Sequence, residues 1–128
     1  MLEITKIVVH CSDSPHRGDT AEDIHRWHLE RGWSGIGYHY VIRENGEVEN
    51  GRPHYWTGSH VAGHNTGSLG ICLLGKEYFT PQQYDSLEVI LHNLLMEYPG
   101  AEVLGHHDLN PHKPCPNFDV KSWWANKK

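Results

Sequence analysis

The chain has 128 residues, enough for one domain with a sizeable core and no covalent staples. At 38% apolar and 21% charged residues it reads as an ordinary soluble globular protein, and a formal net charge of −5 without any run of Lys and Arg argues against a primary nucleic-acid surface. No apolar stretch approaches membrane-spanning length, and the opening "MLEITKIVVHCSDS" lacks the basic start, apolar segment and cleavage site of a secretory leader.

In chain order, "ITKIVVHC" (4–11) is β-branched and apolar, which predicts a buried strand with His10 at its end. "SDSPHRG" (12–18) is a loop. Residues 20–32 predict a helix, with Thr20 and Asp23 as a capping-box variant, Ile24, Trp27, His28 and Arg31 at helical spacing, and Gly32 as a stop. Residues 37–52 form a hairpin around Asn45-Gly46. Strict alternation there puts Tyr38 and Tyr40 on one face and His39 on the other. "SLGICLLG" (68–75) is a second buried strand. Residues 80–100 are a long helix with Thr80 as N-cap, Pro81 at its first position and Leu87, Ile90, Leu91, Leu94 and Leu95 on one face. "AEVLGHH" (101–107) is a short strand ending at the histidines, and residues 119–128 are a terminal helix. This order predicts one α/β domain over 1–128, a central mixed sheet flanked by helices, with a site at strand ends.

Twelve histidines and three cysteines are the chemically notable residues. An odd cysteine count fits a reducing compartment or a metal role better than a disulfide framework. Cys72, inside "GICLLG", reads as a small core residue. His25, His28 and His92 lie on helices and read as surface or boundary packing. His16 and His54 have no nameable partner. In "VLGHHDLNPHKPCPNFDV" (103–120), His106 and Cys115 are separated by a Pro- and Asn-rich loop that can return to its start. Imidazole nitrogen and thiolate sulfur are zinc donors, and His10 at another strand end is the best-placed third ligand. The same residues also read as an exposed histidine pair and a half-buried cysteine. Lys113 stands two before Cys115, either as a solvated loop residue or as a cation for a developing oxyanion.

Five segments, "IVVHCSDS", "GWSGIGYHYVIRENGEVENGR", "GSHVAGHNTGSLGICLLG", "FTPQQYDSL" and "GHHDLNPHKPCPNFDVKSWW", resemble in order and spacing the zinc-dependent N-acetylmuramoyl-L-alanine amidases of type 2. That family includes short phage amidases, the nearest in form, and the peptidoglycan recognition proteins. The resemblance spans residues 4–125. It implies His10, His106 and Cys115 as zinc ligands, with His107 at the variable position of the Gly-His-x-Asp segment. It implies Tyr38 and Lys113 as catalytic residues, and His60 and Asn65 as residues near the substrate groove. The loop from His106 to Cys115 is one residue longer than in the short phage members, which leaves His112 unassigned.

The implied reaction is hydrolysis of the amide between N-acetylmuramic acid and L-alanine in peptidoglycan or muropeptides, as in phage endolysins. The same family admits a non-catalytic peptidoglycan-binding module, although such members lose the ligand cysteine, often to serine. It also admits an additional role as inhibitor of a phage RNA polymerase. A closed structural zinc centre would need His107 or His112 as a fourth ligand. The expected form is a monomer with no nucleic-acid or membrane partner. It would be made in the cytoplasm, acting on the cell wall after release or on recycled muropeptides.

Overall fold

The computed structural model describes residues 3–12, 21–30, 36–54, 56–60, 63–76, 78–110 and 115–127. Its elements are β1 (Lys6–Cys11), α1 (Ala21–Glu30), β2 (Tyr40–Ile42), β3 (Val48–Asn50), β4 (Ser68–Leu73), α2 (Pro81–Glu97), β5 (Glu102–Gly105), α3 (His106–Leu109) and α4 (Val120–Ala125). The five strands form one sheet in the order β3-β2-β4-β1-β5. β1 lies parallel to β4 and β5, and β2 parallel to β4. Among the described residues only β2 and β3 run antiparallel. The sheet is therefore mixed and flanked by helices, as the order of elements predicts.

The central strands read as near-continuous apolar runs because both of their faces are covered. On one face Ile7, Val9, Leu69, Ile71, Leu73 and Ile42 pack against Leu87, Leu91 and Leu94 of α2 and Val120 and Trp124 of α4. On the other, Val41 and Cys72 meet Ala21 and Ile24 of α1, with Trp27 and Tyr38 at the margin. His10 pairs in register with Cys72, and alternation along β1 turns its side chain to this second face. A polar site can be built there without breaching the larger core.

Local signals explain the ends. Thr80 caps α2 by accepting the Gln83 N–H at 3.1 Å, while Gln83 Oε1 accepts the Thr80 N–H at 2.9 Å. Gln83 is also buried and donates through Nε2 to Ile42 O at 3.2 Å and Leu74 O at 2.9 Å, tying the helix to β2 and β4. At the hairpin Gly46 has φ +88°, the left-handed region that an Asn-Gly turn requires.

Three expectations change. The strand expected over 101–107 ends at Gly105, because the Asp108 carboxylate accepts the Gly105 N–H at 2.8 Å and turns the chain into α3. His106 therefore opens a helix rather than ending a strand. Tyr38 and Tyr40 do not share a face: Tyr40 packs on the large cluster and Tyr38 on the small one, since β2 begins only at Tyr40. The strand expected over 68–75 stops at Leu73. Thr20, Arg31 and Gly32 lie outside the described residues.

Candidate active site

His10, His106 and Cys115 each bring one ligand atom into a cluster whose atoms all lie within 4.8 Å of one another. The two imidazole Nδ1 atoms are 3.1 Å apart. His10 is almost wholly buried near the end of β1, and His106 is the first residue after β5. Cys115 returns to them because its Sγ accepts the Cys11 N–H at 2.8 Å. Its carbonyl accepts the His107 N–H at 3.0 Å. The His107 ring is turned away from His10, with Nδ1 3.3 Å from Cys115 O and Nε2 3.4 Å from Asp108 Oδ1. Of the doublet, the first histidine faces His10 and the second braces the returning chain.

This donor set fits zinc. Tetrahedral zinc with Zn–N near 2.0–2.1 Å separates two nitrogen ligands by about 3.3 Å, close to the spacing seen here. Burial, with His60 and His106 adding to it, holds His10 well below the ordinary imidazole range, so the ring is neutral and can coordinate. The Cys11 side chain, and then burial, push the Cys115 thiol above its ordinary range, against the opposite pull of the Cys11 N–H.

Tyr38 stands beside this cluster, its ring centroid 5.1 Å from that of His10. The chain leading into it is held by α1: His25 Nδ1 accepts the Ile36 N–H at 3.1 Å and His28 Nδ1 accepts the Gly37 N–H at 2.9 Å. The Arg52 N–H adds a bond to Tyr38 O at 2.9 Å. The two helix histidines thus position the tyrosine segment, a role their three-residue spacing on an amphipathic helix did not announce. Burial raises the Tyr38 phenol well above its usual range, and Cys72, Cys115 and Cys11 add to the effect, so it is neutral. Cys72, core residue though it is, packs in the same cluster as Tyr38 and adds to the rise of its phenol.

The resemblance implies His60 and Asn65 as residues near the substrate groove. His60 is buried behind His10, with Nδ1 2.9 Å from His10 Nε2 and Nε2 3.0 Å from Ser68 Oγ. Asn65 holds that loop by accepting the His60 N–H through Oδ1 at 2.9 Å. Lys113, His112 and His16 lie outside the described residues. A cavity of about 870 Å³ adjoins the Tyr38 segment, lined by Ile36, Gly51, Arg52 and Trp56 among others. None of the three clustered ligands lines it.

The molecule has clear relatives. The model of the family described as N-acetylmuramoyl-L-alanine amidase matches residues 1–118. The endolysin of Klebsiella phage KP32 is 43% identical over 135 aligned residues, covering 98% of this chain and 89% of that protein. The endolysin of Escherichia phage T7 is 42% identical over 131, covering 95% and 86%. Among solved structures, the N-acetylmuramoyl-L-alanine amidase LysC from Clostridium intestinale URNW superposes with a TM-score of 0.87 at 35% identity, over 98% of this chain and 85% of that one. The chain belongs to the N-acetylmuramoyl-L-alanine amidase family.

Proposed function

We propose that this chain is a zinc-dependent amidase that cleaves the bond between N-acetylmuramic acid and L-alanine in peptidoglycan, in the manner of the phage endolysins it resembles. The observation that carries this reading is the convergence of His10, His106 and Cys115 beside Tyr38. Those three would hold the ion as three protein ligands and leave a fourth position open, the arrangement of catalytic rather than structural zinc. When bound, zinc supplies a Lewis acid for the scissile carbonyl and an acidified water as nucleophile.

The chain's own residues do the rest. Tyr38, kept neutral by its surroundings, serves as a hydrogen-bond donor to the carbonyl oxygen rather than as a base. Lys113, two residues before Cys115 in sequence, is assigned to the negative charge that develops on that oxygen. Retention of Cys115 favours catalysis over a binding-only role, since a neutral replacement there would weaken the metal site. The test is digestion of purified peptidoglycan with and without a chelator, with products identified by mass. Free stem peptides beginning at L-alanine, lost on chelation and restored by zinc, are expected. Hydrolysis that survives thorough metal removal, or cleavage within the glycan, overturns the reading.

A further inference from the structure

Behind His10 lies a chain of hydrogen bonds that ends in groups able only to accept. Ser68 Oγ is 2.8 Å from His64 O and 3.0 Å from Asn65 O. Two carbonyls claim its single proton, so the hydroxyl turns a lone pair toward His60 Nε2 at 3.0 Å. His60 must then carry its proton on Nε2 and present a bare Nδ1. That nitrogen faces His10 Nε2 at 2.9 Å, so His10 must donate from Nε2. A neutral imidazole with Nε2–H has its lone pair on Nδ1, and Nδ1 of His10 is the atom that faces His106.

We infer that His60, anchored by Ser68, is a positioning residue that locks His10 in the tautomer and orientation needed to offer Nδ1 to a metal. The inference rests on the proposed metal reading only for its purpose, not for the hydrogen bonds themselves. The sequence builds the seat for this ring. A Cβ on Gly70 would lie 2.7 Å from His60 Cγ and 2.9 Å from His60 Nδ1, so only glycine lets the imidazole lie against β4. Asn65 fixes the backbone of His60 from the other side. The ring is buried between His10 and Ser68, surroundings that disfavour a charged imidazole. A charged His60 would donate from both nitrogens and break the relay. Metal-bound histidines commonly donate their second N–H to an oxygen acceptor. Here the acceptor is another imidazole, whose own tautomer is fixed one step further back.

The experiment combines ¹⁵N NMR of the imidazoles with zinc affinity by chelator competition, on the chain as purified and after chelation. In both states His10 should show a protonated Nε2, and in the chelated chain an unprotonated Nδ1. His60→Leu, which keeps bulk but removes the acceptor, should weaken zinc binding about 10- to 100-fold, the usual effect of losing such a partner. His60→Asn, whose side-chain oxygen can stand near the lost Nδ1, should recover much of that affinity. Ser68→Ala should leave His10 a mixture of tautomers. A His10 proton on Nδ1 in the chelated chain, or a folded His60→Leu chain with unchanged zinc affinity, overturns the inference. A wild-type chain that binds zinc without cleaving peptidoglycan would refute the amidase reading and leave the relay standing. If the wild-type chain bound no zinc, the tautomer of His10 would still decide the matter.

Discussion

The Cys11 N–H donates to Cys115 Sγ at 2.8 Å across 104 residues of sequence. A backbone donor aimed at sulfur favours the thiolate, the form a metal takes. Cys115→Ser should therefore lose zinc affinity by more than the roughly 10- to 100-fold typical of an outer partner, since a neutral hydroxyl is a far poorer ligand. Cys72→Ser should keep its zinc. Equal metal loss in the two variants would mean that the sulfur ligand is the wrong one.

Zinc binding should release a proton. The metal-free Cys115 thiol is held protonated, while His10 is already neutral. Coordination deprotonates a thiol outright. Calorimetry in buffers of different ionisation enthalpy at pH 7 should therefore report about one proton per zinc. Release near zero would show that no thiol is ionised by the metal.

The histidine doublet separates cleanly. His106→Ala should remove metal and activity together, because His106 Nδ1 faces His10. His107→Ala should retain the metal and only loosen the segment whose carbonyl it meets. Metal analysis of the two purified variants decides, and the reverse order would shift the ligand by one residue.

Tyr38→Phe and Lys113→Ala should both keep zinc and fold. Each should lower turnover by about two orders of magnitude or more, the size of a lost transition-state contact. Because the phenol is neutral, Tyr38→Phe should lower the pH–rate profile without moving its acid limb. A displaced acid limb would make the tyrosine a base after all.

Acid should destabilise the metal-free chain. His60 is lowered from 6.5 to about 3 by burial, and His10 and His39 are lowered as well. Below pH 6.5 the unfolded chain binds protons that the native one refuses. Stability is thus present in full above 6.5 and lost as pH falls, by about 1.4 kcal/mol per pH unit for His60 down to about 3, with His10 and His39 acting in the same direction. Urea midpoints at pH 7 and 4.5 should differ accordingly, and equal midpoints would contradict the buried neutral state.

The architecture was legible in the sequence because its signals are local. The β-branched run before His10, the Asn45-Gly46 turn and the Thr80 N-cap followed by Pro81 each specify an element within a few residues. Two of the metal-site candidates, His10 and His106, were legible as residue types at strand ends, and Cys115 as a thiol on a loop able to return to them. Their supporting shell was not. His60, Ser68, His25 and His28 act through contacts that depend on loops crossing the sheet, and no periodicity records such crossings. Tyr38 shows the same limit, since alternation fails where a strand has not yet begun. The reversal at Gly105 turned on one carboxylate three residues on.

The parallel pairing of β1 with β5 carries a consequence for biosynthesis. His10 leaves the ribosome early, but the strand beside it begins at Glu102 and the sulfur arrives with Cys115. A nascent chain, or any product stopped short of that point, offers two ligands at most and lacks the donor set for the metal. On the proposed metal reading such a product would be inactive, because the cluster forms only when the segments around His10 and Cys115 meet.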